Sequence, residues 1–114
     1  MARDNVRVVL EEIATGKALK VIDTPTSEDI ADLYVAMKKG GITYIRILQL
    51  LKKRMGCSVD PATFFSQALV ACGKIHEAPY LLYMNNAKAQ KNFLQQMRKY
   101  FGKLSTEFLR RRLQ

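Results

Sequence analysis

Apolar residues in this chain recur at helical spacing, and the stretches that carry the pattern are bounded by glycine, proline or a capping side chain. No run alternates at period two over a useful length, so no half-buried strand is available to start a sheet. A chain with one period throughout and stops between its segments has few options. It packs helix on helix, with each apolar stripe covering another.

The segments read in order. Asp4 or Asn5 is placed to cap a first helix that buries Val6, Val9, Leu10 and Ile13, and Gly16 is placed to close it. Lys17 to Ile22 then reads as a short extended piece or a linker, and Thr24-Pro25 excludes helix, because the residue before proline is pushed to extended geometry. Thr26 or Ser27 caps a second helix, with Asp29 positioned for a capping box and Ile30, Leu33, Tyr34 and Met37 turned inward. Gly40-Gly41 ends it.

A third helix is expected from Ile42 to Met55, closed by Gly56. Asp60-Pro61 starts a fourth, a capping carboxylate before proline at the first helical position. Phe64, Phe65, Ala68, Leu69 and Cys72 form its buried face, and Gly73 ends it. Pro79 opens a short turn through Tyr83, and Asn85 or Asn86 caps the last helix. The expected fold is all-α: a compact single domain over residues 1–114, five to six helices with short connections, ending in a long basic amphipathic helix. At 114 residues there is no room for a second core.

Charge is distributed unevenly. Residues 88–114 hold Lys88, Lys91, Arg98, Lys99, Lys103, Arg110, Arg111 and Arg112 against Glu107 alone, which accounts for +7 of a formal +9. On a helix, Phe93, Leu94, Met97, Tyr100, Phe101, Leu104 and Phe108 share one sector, and most of the cations share the opposite one. Such a cationic row can neutralise phosphates along a nucleic-acid backbone. It can also simply solvate the surface and oppose the helix dipole. The apolar residues are spaced 3, 4, 3, 4 as well, which suits a coiled-coil seam to a second subunit. Gly102 is expected to kink or stop this helix and leave Arg110-Arg111-Arg112 frayed.

Helices two and three, joined at Gly40-Gly41, have the outline of a helix-turn-helix or a plain hairpin. The polar side of helix three offers Thr43, Arg46, Gln49 and Lys53, residue types that suit base edges and phosphates. Tyr80, Tyr83 and Tyr100 lie near lysines and asparagines, where stacking on unpaired bases is conceivable.

Nothing points to an enzyme. Cys57, Cys72 and His76 lack the paired short spacings of a zinc site, so no metal is expected, and no glycine-rich phosphate loop is present. No two carboxylates are placed to converge in a cleft, and no cofactor is implied. Apolar runs such as Tyr80–Met84 fall far short of the roughly 20 residues of a membrane span, and the N-terminus lacks a signal core. A cytoplasmic setting, or nuclear in a eukaryote, with free thiols is expected.

Two functions follow as expectations. The first is a small non-enzymatic nucleic-acid-binding accessory or regulatory protein, DNA and RNA undistinguished. Lys88, Lys91, Arg98, Lys99, Lys103, Arg110, Arg111 and Arg112 would contact phosphates, with Arg46, Gln49 and Lys53 assisting. The second is a protein-interaction module or inhibitor that docks on a larger protein, with homodimerisation through the last helix.

Overall fold

A computed structural model describes residues 2–73 and 87–113, and it holds five helices there. They are α1 (Ala2–Asp23), α2 (Ser27–Lys38), α3 (Tyr44–Met55), α4 (Pro61–Gly73) and α5 (Ala87–Arg112). No strand occurs among the described residues. The turn expected at Pro79–Tyr83, the caps Asn85 and Asn86, and His76 lie outside them. The shortest principal extent is 24 Å, about two helix diameters.

The local punctuation explains most of the boundaries. Thr26 is the N-cap of α2, its hydroxyl accepting from the Asp29 backbone N–H at 3.3 Å and donating to the Asp29 carboxylate at 2.7 Å. A cap of this type contributes about 1 kcal/mol. Gly41 takes φ +68° in the turn that follows, and Thr43 caps α3 by accepting from the Arg46 N–H at 3.2 Å. Helix three therefore begins at Tyr44 rather than Ile42, and Ile42 is buried in the connection. Gly56 closes α3 at φ +76°. Asp60 accepts from the Ala62 N–H at 2.9 Å and Pro61 opens α4.

The first helix departs from the sequence reading in two ways. It does not stop at Gly16 but runs to Asp23, and Asp4 and Asn5 lie inside it rather than capping it. Its buried face is Ala14, Thr15, Ala18 and Val21, whereas Val6, Val9 and Ile13 are 58%, 52% and 47% exposed. The reason is packing. α1 lies against α2, α3 and α4, and alanines four apart let neighbouring helices approach closely where valine or isoleucine would hold them off. Helix beyond Gly16 also brings Lys17 to Asp29 at 3.3 Å and Asp32 at 3.0 Å. Together with the burial of Ala18 and Val21, these contacts outweigh the cost of about 1 kcal/mol for glycine in a helix interior.

Side chains, local and distant, complete the polar accounting. Thr15 is the one buried polar residue among those described, and its hydroxyl donates to the Glu11 carbonyl at 2.6 Å. The end of α1 is met by Gln67 of α4, which donates to the Ile22 carbonyl at 2.9 Å. Arg7 donates to the Gly40 carbonyl at 3.0 Å, tying α1 to the α2–α3 turn.

The core is one contiguous cluster to which all five helices contribute, with Ile30, Leu33, Ile47, Leu51, Phe64, Phe65, Met97 and Phe101 among its fully buried side chains. Leu69, expected inside, is on the surface, and Ala71 takes an inward position instead. The backbones of α2 and α3 hardly approach each other; each packs on α1. The two helices thus lack the close backbone approach of a tight hairpin.

Candidate nucleic-acid interface

α5 is a continuous helix through Gly102, without the stop expected there. Its apolar side explains the continuity. Met97 and Phe101 are fully buried in the core, Phe101 6.3 Å from the Tyr34 ring of α2, while Phe93, Leu94, Tyr100, Leu104 and Phe108 pack around the cluster and α5 lies along α4. Phe108 lies 6.0 Å from the Phe65 ring, so helix beyond Gly102 still gains packing. Arg110, Arg111 and Arg112 are consequently helical and exposed rather than frayed. The stripe read as a dimer seam is occupied within the chain, because side chains sealed in their own core cannot also fill a partner's.

The opposite side of α5 presents its cations to solvent. Lys88, Lys91, Arg98, Lys99 and Lys103 are all exposed, and among the described residues no carboxylate pairs with any of them. Arg98 has a second task, donating to the Cys72 carbonyl at 3.4 Å near the end of α4. It also partly opposes the burial that pushes the Cys72 thiol up to about 11. The face is set by one rigid element, so its charges keep helical spacing.

The other candidates are separated from this row. Arg46 is engaged: its Nε meets Glu11 Oε2 at 2.7 Å and its second nitrogen meets Oε1 at 3.3 Å. That hydrogen bond holds the Glu11 carboxyl below its ordinary range, with the charges of Arg46 and Arg7 adding to it. Arg46 is thus an exposed strut between α1 and α3, with its Nε and one terminal nitrogen already engaged. Gln49 and Lys53 are exposed on α3. Gln49 lines a depression of about 370 Å³ with Tyr44, Leu48, Lys52, Val59 and Phe108, and Phe108 also borders a recess holding Arg111 and Arg112. Lys53 joins neither.

Another groove, about 480 Å³, runs between α2 and α5. One wall is Tyr34, Met37 and Lys38; the other is formed by Gln96, Lys99, Tyr100, Lys103, Leu104 and Glu107. It exists because the two helices meet through rings rather than through close backbones: Tyr34 touches Phe93 and Tyr100 edge-on at 5.6 and 5.4 Å. Burial of Tyr100 in this contact raises its phenol above the ordinary range. Lys38 and Gln96 were not singled out in the sequence. They sit 58 positions apart, and only the packing of α2 beside α5 makes them neighbours.

No three of His, Cys, Asp and Glu gather into a metal-binding group among the described residues; Cys57 is exposed and Cys72 buried. No described helix is long and apolar enough to cross a membrane. No protein family matches the chain, and no curated protein or solved structure is similar to it.

Proposed function

We propose that this is a non-enzymatic nucleic-acid-binding protein that contacts the phosphate backbone through the exposed cations of α5. The observation that carries the reading is the row of Lys88, Lys91, Lys99 and Lys103, which meets no carboxylate among the described residues, on a helix whose other side is anchored in the core. Cations held in place keep their spacing in the free protein, so binding phosphates costs little ordering and releases counterions. Lysine rows recognise charge rather than sequence, which makes the activity backbone-directed. A nuclear or cytoplasmic accessory or regulatory role belongs to the same proposal.

The test is fluorescence anisotropy with labelled DNA and RNA from about 50 to 200 mM salt, where each backbone contact contributes a slope near 0.7 to 0.9. Lys88, Lys91, Lys99 and Lys103 changed together to Glu should abolish binding while leaving the helical circular dichroism unchanged. Arg98 is kept, since it also meets the Cys72 carbonyl. No binding by the unaltered protein at low salt would end the proposal.

A second reading, a module that docks on a larger protein, is favoured by the outer side of α1, where Val6, Val9 and Ile13, spaced i, i+3, i+7, are exposed. Apolar residues gathered on one surface often mark such contacts. Affinity purification that recovers one stoichiometric protein, insensitive to nuclease and lost in Val9→Asp/Ile13→Asp, would support it. Capture that nuclease treatment eliminates would oppose it.

A further inference from the structure

We infer that the α2–α5 groove receives one nucleotide of a single strand, with its base against Tyr100 and the flanking phosphates on Lys38, Lys99 and Lys103. The inference rests on the proposed backbone contact by α5 and narrows it to unpaired nucleic acid.

The argument begins with the size and lining of the groove. Its volume, about 480 Å³, falls within the range of small-ligand clefts, and it combines an aromatic wall with three ammonium groups. Tyr100 is backed on one side by Phe101, whose ring is nearly parallel at 10° and 5.3 Å between centroids. The Lys38 Nζ sits over the Tyr100 ring, 5.8 Å from its centroid. That position is already an electrostatic contact with the π-face. It is made by the end of a flexible side chain, which can swing away when a base arrives and remain close enough to meet its phosphate.

The cations are arranged for a backbone that follows the groove. Lys99 and Lys103 are four apart on α5, on one edge of that helix, and Lys38 faces them from α2. Lys38 is in the last turn of α2, where a cation also opposes the helix dipole. Lys99 and Lys103 lie mid-helix and have no such role. Gln96 supplies both donors and an acceptor for a base edge at one end of the α5 wall, and Glu107 supplies an acceptor at the other.

Base pairing decides against a duplex. In a duplex the base faces are stacked on one another, so an aromatic wall gains nothing from it; an unpaired base offers its face to Tyr100. The groove therefore distinguishes strands by exposure of the base, while the lysines contribute affinity without reading sequence.

The test compares 12-nucleotide single-stranded RNA and DNA, a 12-base-pair duplex and a polyglutamate peptide of similar charge, each by anisotropy at several salt concentrations. Single strands should bind at least about 10-fold tighter than the duplex or the peptide. Lys38→Gln should weaken single-strand binding and lower the salt slope by about 0.7. Its neighbour Lys39, exposed but outside the groove, serves as the control: Lys39→Gln should do neither. Tyr100→Leu should cost roughly 5-fold to 100-fold in single-strand affinity without changing the slope.

If the duplex or polyglutamate binds as tightly as single strands, or if Lys38→Gln matches Lys39→Gln, the groove is not a nucleotide site. The broader proposal then stands provided that the Lys88/Lys91/Lys99/Lys103 charge reversal still abolishes binding. If the unaltered protein binds no nucleic acid, both fail. The Lys38 and Lys39 comparison decides the matter even if Tyr100→Leu fails to fold.

Discussion

Arg46 and Glu11 are 35 positions apart in the chain and meet as a two-pronged ion pair, Nε to Oε2 at 2.7 Å and the second nitrogen to Oε1 at 3.3 Å. Arg7, one turn before Glu11, lies 3.9 Å from the same carboxylate and donates to the Gly40 carbonyl. One acid on α1 thus orients two arginines, one bracing α3 and the other the α2–α3 turn. The pair is partly exposed, with Glu11 the more covered of the two.

The pH dependence follows from the direction of the shift. Glu11 has a lowered folded pKa, so its contribution is present above the unfolded carboxylate value, about 4.3, and is lost as pH falls through the folded value. Urea denaturation at pH 7 should find Glu11→Gln less stable than the parent, with the difference closing in acid. A difference that stays constant down to pH 2 would show that the carboxylate charge contributes nothing.

The stripe of α5 has an equally direct test. Phe101 is fully buried, so Phe101→Ala should reduce stability by about 3–5 kcal/mol, and Phe101→Asp or Met97→Asp should unfold the protein. Chemical denaturation and size-exclusion chromatography measure these. A well-folded monomeric Phe101→Asp derived from a dimeric parent would mean that the stripe faces another chain.

Two glycines should respond in opposite directions to the same substitution. At Gly40 an added Cβ would lie 2.3 Å from the Ala36 carbonyl oxygen, which forces the backbone to shift, so Gly40→Ala should lower the melting temperature. At Gly102 an added Cβ meets nothing within 4 Å, and Gly102→Ala should stabilise by up to about 1 kcal/mol. Paired thermal melts check both; destabilisation by Gly102→Ala would contradict a continuous α5.

The thiols should separate by reactivity. Cys57 is exposed, while Cys72 is buried with its pKa raised to about 11 by desolvation. Since the thiolate is the reactive form, a disulfide reagent at pH 8 should modify one thiol rapidly in the native protein and both in denaturant. Fast modification of both under native conditions would place Cys72 at the surface. The same shift makes the fold lose stability as pH rises from about 8.5 toward 11, because the unfolded thiol ionises first.

Much of the fold could be read from local signals. Thr26, Gly41, Gly56 and Asp60-Pro61 act within a turn of their own positions, and each bounds its element as such residues do. The stripes of α2, α4 and α5 were visible for the same reason, since side chains three and four apart share a face wherever the helix is placed. In α1 the bulky Val6, Val9 and Ile13 stay exposed, while Ala14, Ala18 and Val21, equally periodic, form the contact. Small residues at a helix crossing carry little apolar weight but set how closely the helices approach.

The candidate site divides along the same line. Lys99 and Lys103 could be placed on one side of a helix from their spacing, whereas the availability of Arg46 could not be judged without knowing that Glu11 lies beside it. By itself the sequence determined that the described segments are helical, where α2 and α4 begin and end, and that the cations gather at the C-terminal end. Those properties depend on backbone geometry and on charges close together in the chain. Only the tertiary structure decided which side of α1 is inside, which arginine is neutralised and that Lys38 faces Lys99 and Lys103 across a groove. Each of these depends on how helices rotate and approach when their surfaces interlock, and that is settled by all the contacts at once.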